Sequence, residues 1–308
     1  MGVGRQSKGS TMTSAAEWQL VLILWGTKYG PSEVCQLIET VEKYAQRPFR
    51  TVLITDRQRD GLPAGVLQRA FPEFFVQEEM RTSGCQAKLA MFEDGVVPQD
   101  LPAVYIDIDT VVFGDMSKFL DVARSEKAVV LFQSALLPIG ALGRWIWRRT
   151  NKKKYARGNS SIVVFQPREC GYIAEQFRAL HAQHGMTGFR PMIADERFMS
   201  WSAQENLQAI PKSMAVKFPT EFMLPWAWLT HLRASLPWVR RRWNGLLAVT
   251  LPGVDVKGQE LLQMPEGGGF VDRKGRRLIW SEKAIGPMKQ KLTHYYEALS
   301  AREEESKS

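Results

Sequence analysis

The chain has little from which to build a stapled scaffold. Its three cysteines, Cys35, Cys85 and Cys170, are odd in number, widely spaced and form no CxxC pair. That argues against a disulfide framework and against a cysteine zinc site, and makes a reducing compartment the simplest expectation. No apolar run approaches the roughly 18 to 20 residues of a membrane span, so any membrane contact would be peripheral. The opening MGVGRQSKGSTMTSAA lacks the apolar stretch of about 7 to 15 residues that a secretion signal needs. Residues 1–16 therefore read as a flexible leader, and AREEESKS (301–308) as a charged, solvated tail. No internal repeat is visible, nor a linker rich in Gly, Pro or Ser, so 17–300 is expected to form a single domain in the cytoplasm.

What is present can fill a core. The sequence has 308 residues, 44% of them apolar and 10% aromatic, enough for a large globular unit. Forty-one Lys and Arg against 32 Asp and Glu give a formal charge of +9, which points to anionic partners without choosing among phosphates, acidic lipids and nucleic acid. WQLVLILWG (18–26), RTVLITD (50–56) and PAVYIDID (102–109) read as buried strands, and Val34, Leu37, Ile38 and Val41 recur at helical spacing between the first two. AVVLFQ (128–133), SSIVVFQP (160–167) and LLAVTLPG (246–253) are further strands. MSKFLDVARS and residues 168–184 look helical, and 186–250 is less regular. Buried strands separated by helices predict an α/β fold with a mostly parallel sheet covered on both faces. In such sheets ligands bind beyond the carboxyl ends of the strands. Thr27, Lys28, Tyr29, Asp56, Asp107 and Asp109 all fall at that edge.

Asp107 and Asp109 close a strand as D-x-D, and in an extended segment residues i and i+2 project to the same side. Two neighbouring carboxylates repel unless something positive lies between them. Three readings fit. The pair could simply cap the strand and bind water or a lysine. Asp107-Ile108-Asp109-Thr110-Val111 also matches the D-x-D-x-T/V of haloacid-dehalogenase-type phosphatases, with Asp107 as nucleophile and Asp109 as general acid; that family, however, opens its domain with the motif. The third reading is a glycosyltransferase of the GT-A type, whose D-x-D holds Mn²⁺ or Mg²⁺ on the diphosphate of a nucleotide sugar.

The ordered series LWGTKYG, VLITDRQRDGL, GCQAKLAMFE, AVYIDIDTVVFGDM, GNSSIVVFQP and ADERF, over roughly residues 18–203, resembles bacterial glycosyltransferase family 8-like proteins. The resemblance implies a GT-A fold, a nucleotide-sugar donor, commonly UDP-linked, a Mn²⁺ ion, and transfer with retention. It implies that Thr27 and Tyr29 contact the nucleoside, Asp56 the base or ribose, and Lys88 the diphosphate or its sugar. Asp107 and Asp109 would hold the metal. Asn159, Ser160 and Ser161 would face the sugar, with Asp195 near its reacting carbon. Two departures stand out. Glu196 occupies the place of a Gln, and Pro252 falls where the family offers a metal-binding His, leaving Asp255 and Lys257 as substitutes for the lost ligand and its phosphate-binding neighbour. The resemblance also keeps open a catalytically weak nucleotide-binding relative.

GRWIWRRTNKKKYAR (143–157) and LPWAWLTHLRASLPWVRRRWNG (224–245) hold six of the ten tryptophans among clustered Arg and Lys. Such letters suit the interface of an anionic membrane, which would fit a glycan or lipid-linked acceptor at the inner leaflet. The alternative is that the tryptophans line the core or acceptor cleft and the arginines are solvated. A nucleic-acid surface would use the same residues, but nucleic acid is not the expected partner.

Overall fold

The computed structural model describes residues 15–82, 84–134, 136–252 and 256–305. Asp255 lies outside them, as does most of the expected leader. Ten strands form two sheets: β1 (Trp18–Leu24), β2 (Phe49–Thr55), β3 (Leu67–Ala70), β4 (Ala103–Ile106), β5 (Thr110–Val112), β6 (Val129–Gln133), β7 (Gly158–Phe165), β8 (Leu207–Ala209), β9 (Ala215–Lys217) and β10 (Ala248–Thr250). The longer helices are α1 (Pro31–Tyr44), α2 (Ala141–Arg149), α3 (Tyr172–His184), α4 (Asp195–Ser202), α5 (Ala227–Ser235), α6 (Pro237–Asn244) and α7 (Met288–Glu305).

The seven-stranded sheet runs β3-β2-β1-β4-β7-β6-β8. All its pairings are parallel except those of β7, which is antiparallel to both β4 and β6. That one reversal matters for the site. It carries the amino end of β7, with Asn159, Ser160 and Ser161, to the edge where β1, β2 and β4 end.

The sheet is apolar on both faces because both are covered. Val21, Ile23, Val52, Ile54 and Tyr105 enter one core, while Leu20, Leu22, Leu24, Leu53, Val104 and Ile106 enter the other. This is why the strands read as unbroken apolar runs rather than alternating ones. α1 begins at Pro31, whose missing N–H costs nothing at a first helical position. The Gly30 N–H donates to Glu33 Oε2 at 2.8 Å, and α1 buries Val34, Leu37, Ile38 and Val41. The segment MSKFLDVARS forms a 3₁₀ helix over Met116–Val122, with the Asp115 carboxylate accepting from the Ser117 N–H at 3.0 Å.

A smaller sheet, β5-β10-β9, packs above the carboxyl edge. β10 is antiparallel to β5 and parallel to β9. LLAVTLPG is therefore a strand of this second sheet rather than of the main one. It rests on a third core that includes Phe222, Trp243, Trp280 and Leu292. Residues 301–305, expected in a separate tail, are instead the last turns of α7, where Arg302 pairs with Glu39 of α1.

Candidate active site

The three-residue loop from Asp107 to Asp109 is the centre of the arrangement. β4 ends at Ile106, and the Thr110 N–H returns to the Asp107 carbonyl at 3.0 Å. The D-x-D is therefore a tight turn and not the extended segment expected from the sequence. Its far side is tied to the small sheet by the Leu251 N–H, which donates to the Asp109 carbonyl at 3.0 Å. The Asp107 N–H donates to the Ser161 carbonyl at 2.9 Å, joining the turn to the start of β7.

Around this turn lies a cavity of about 750 Å³ lined by Tyr29, Lys88, Asp107, Asp109, Asn159, Ser160, Asp195 and Glu196, among others. The resemblance names all of these but Glu196, its departure from the family's Gln, for the donor site, and they come from five separate parts of the chain. Lys88, on a 3₁₀ helix over Gln86–Phe92, reaches the Asp107 carboxylate at 2.5 Å. The Tyr105 hydroxyl donates to the same oxygen. Burial opposes the charge on Asp107, but Lys88 and these hydrogen bonds hold its carboxyl below the usual range. Burial likewise works against the Lys88 ammonium, and Asp107 beside it keeps that lysine well above its ordinary value.

Asp195 opens α4, and its carboxylate accepts from the Ser160 hydroxyl at 2.6 Å. Burial raises its pKa to about 6; Lys88 and Ser160 act against the rise, and the neighbouring Glu196 adds to it. The Asn159 amide donates to Glu196 Oε2 at 2.6 Å. The two carboxylates at the start of α4 are thus each fixed by a residue of β7.

Thr27 and Asp56 are placed differently. Neither lines the cavity. Thr27 is exposed, and Asp56 accepts from the Gly26 N–H at 2.9 Å and from Arg59 at 2.7 Å. Gly26 has φ +67°, a conformation that L side chains rarely adopt. Asp56 therefore braces the turn that follows β1. Tyr29 does face the cavity, with the Lys28 ammonium 4.6 Å from its ring centroid. Lys257 pairs with Glu260 at 2.9 Å on the surface, and Pro252 lines the cavity beside Leu251.

Lys217 was not foreseen. It ends β9 and lines the cavity from above. Burial lowers its pKa, and Glu196 and Asp107 act against that fall. Tyr105 was also missed as a site residue, although it stands in β4 two positions before Asp107.

No family profile and no curated protein matches the sequence. Solved structures do. The galactosyltransferase LgtC, in complex with donor and acceptor sugar analogues, aligns over 92% of this chain and 95% of its own, with a TM-score of 0.56 and 12% identity. The bifunctional glycosyltransferase WbbM, in its apo form, aligns over 92% of this chain and 52% of its own, with a TM-score of 0.54 and 12% identity. The apo glycosyltransferase GlyE of Streptococcus pneumoniae TIGR4 aligns over 94% and 64%, with a TM-score of 0.50 and 11% identity. The fold is that of a GT-A glycosyltransferase.

The donor set of this GT-A chain can be tested against the divalent ion that the fold implies. Among the described residues no three His, Cys, Asp or Glu side chains converge. A closed protein cage, such as zinc prefers, is therefore absent from the described residues. Two carboxylates on one cavity wall do suit a hard ion that completes its shell with water and phosphate oxygens. The residues fit Mg²⁺ or Mn²⁺ in that role, with Lys88 already balancing part of the charge on Asp107.

Proposed function

We propose that the chain transfers a sugar from a nucleotide-sugar donor, UDP-linked, to a glycan or lipid-linked acceptor with retention at the anomeric carbon. The observation that carries this is the convergence of Lys88, Asp107, Asp109, Asn159, Ser160 and Asp195 on one cavity at the carboxyl edge of the sheet. Asp107 and Asp109 would hold a divalent ion, whose charge would offset that of the departing diphosphate. Lys88 is fixed in its charged form and adds a second, permanent cation at the same place. Fixed charge of this kind needs no reorganisation during reaction, which is why it contributes strongly to rate.

Asn159, Ser160 and Asp195 orient the donor sugar through amide, hydroxyl and carboxylate groups. The Tyr29 ring bounds the nucleoside end of the cavity, and Asp56 acts on the donor only by shaping the preceding turn. Lys217 approaches from the small sheet as a third cation, facing Glu196 and Asp107.

The acceptor is met at an anionic bilayer. Trp226, Trp228 and Trp238 are between 60% and 67% exposed, and Leu232 is exposed beside them. No acidic residue occurs between Glu221 and Asp255, and Arg241 has no acidic partner among the described residues. Exposed tryptophan with unbalanced arginine is the composition of a membrane-interface surface. No helix of the described residues is long and apolar enough to cross a membrane.

A thermal-shift screen of nucleotide sugars with and without Mn²⁺ tests the donor assignment. A UDP-sugar at about 100 times its Kd should stabilise the fold by about 2.7 kcal/mol. No shift with any nucleotide sugar would sink the proposal. A shift without turnover would instead favour a nucleotide-binding relative, a reading that Pro252 in place of the expected His also supports.

A further inference from the structure

Beyond Asn159 and Glu196 the donor cavity continues into a second one of about 560 Å³, and Asn159, Glu196 and Lys217 line both. We propose that this second cavity is the acceptor subsite, and that the acceptor carries a phosphate group close to the sugar hydroxyl that is glycosylated. The inference rests on the glycosyltransferase reading above and names the acceptor class for it.

The wall of this cavity is basic. Arg157, Arg197, Lys212, Lys217, Arg233 and Lys274 line it, against Glu196 and Glu221. Both carboxylates are already engaged. Glu221 accepts from Arg233 at 2.6 Å and from Trp243 Nε1 at 2.7 Å, and also pairs with Arg242. Glu196 accepts from Asn159. The side chains of Arg157, Arg197, Lys212 and Lys274 have no acidic partner among the described residues; the Lys274 backbone N–H donates to Asp272 at 2.9 Å.

These four arise from separate places: the entry to β7, the first turn of α4, the β8–β9 connection and a loop after β10. An ordinary solvated charge run would come from one segment. Here four distant segments bring unbalanced cations to one concave surface. Arg197 is partly buried and the other three are exposed, so an anion held among them would meet several cations of the wall at once.

A neutral sugar calls for a different lining. Sugar rings are commonly held by an exposed aromatic face together with amides and carboxylates. The aromatic side chain of this lining, Phe132, is only 6% exposed. Two guanidinium groups and two ammonium groups instead match an oxyanion, and the planar arginine fork binds phosphate through paired hydrogen bonds. Phosphate is preferred over carboxylate because its higher charge balances more of the wall.

The subsite is tested by binding, without need of the true acceptor. Ligand-observed NMR titrations would compare glucose 6-phosphate, glucuronate and glucose on the wild-type protein and on the Arg157→Gln, Lys212→Gln double variant. Both positions are exposed, so the variant should fold. The sugar phosphate should bind roughly tenfold or more tightly than glucose, as one or two charge-assisted contacts give. The double variant should lose about the same factor, and UDP should not displace the probe. Equal binding of glucose and glucose 6-phosphate would overturn the proposal, as would equal binding of glucuronate. Displacement of the sugar phosphate by UDP would overturn it too, because the phosphate would then sit in the donor cavity. Binding of the sugar phosphate through Arg157 and Lys212 in a protein that never binds UDP would leave this subsite standing and overturn the donor reading alone.

Discussion

Asp195 is a buried carboxylate and Asp107 a partly buried one, and their surroundings drive them in opposite directions. Burial raises both, but at Asp107 the Lys88 ammonium outweighs it, whereas Asp195 is left at about 6. The linkage to folding therefore has opposite signs. The stability that Asp107 contributes is complete above the ordinary carboxylate range and is lost as pH falls through its lowered value. Between about 3.8 and about 6 the folded protein holds a proton on Asp195 that the unfolded chain has released, so that contribution shrinks as pH rises through the window. Carboxyl-carbon NMR of Asp195 should show a midpoint near 6. In Glu196→Gln, which keeps an acceptor for Asn159 but removes the charge, the midpoint should move down; an unchanged midpoint would show that Glu196 does not act on it. Asp107→Asn should cost about 1–3 kcal/mol in denaturant unfolding, because Lys88, partly buried in the cavity wall, is left without its counter-charge. For that reason Asp109 is the better position at which to probe ligand binding without disturbing the Lys88 pair.

The elements that were legible in the sequence are those whose residues are buried on both faces. β1, β2, β4 and β7 each appear as an apolar run, and α1 as an apolar spacing with a Pro start. β8 and β9 are three residues each, LQA and AVK, too short to show any period, and edge strand β3 reads LQRA. The small sheet was invisible for a further reason: β5 (Thr110–Val112) lies about a hundred residues before β9 (Ala215–Lys217), and two helices separate β9 from β10 (Ala248–Thr250), so only tertiary packing brings Lys217 over the site. Sequence pattern also could not say that the D-x-D turns, since local periodicity does not report which backbone carbonyl the Thr110 N–H will find. The basic tryptophan segments split between the two alternatives. Trp147 and Trp243 are buried, while Trp145, Trp226, Trp228 and Trp238 are exposed. Two experiments follow from that split. Trp243→Ala, which removes a side chain 1% exposed and the indole donor to Glu221, should destabilise by about 3–5 kcal/mol in denaturant melts. The Trp228→Ser, Trp238→Ser double variant should stay within about 0.5 kcal/mol per site of wild type, yet lose co-sedimentation with vesicles containing phosphatidylglycerol. Equal sedimentation of variant and wild type would remove the membrane surface from the account.

At the scale of the molecule, the two sheets enclose a charge pattern that neither could form alone. The turn after β4 and the start of α4 supply the carboxylates, the 3₁₀ helix over Gln86–Phe92 supplies Lys88, and the small sheet supplies Lys217, while the entry to β7, the first turn of α4, the β8–β9 connection and a loop after β10 supply the unpaired cations of the adjoining cavity. The excess of nine positive charges is thus concentrated in part where anionic groups are proposed to bind, at the donor diphosphate and the acceptor phosphate. The measurement that bears most directly on the central claim is calorimetric titration of UDP into wild type and Asp109→Ala, with Mn²⁺ and then with chelator. The account predicts ion-dependent binding by wild type and a loss of about tenfold or more in the variant, with the melting temperature unchanged. UDP binding of the same strength in the variant, or in chelator, would contradict it.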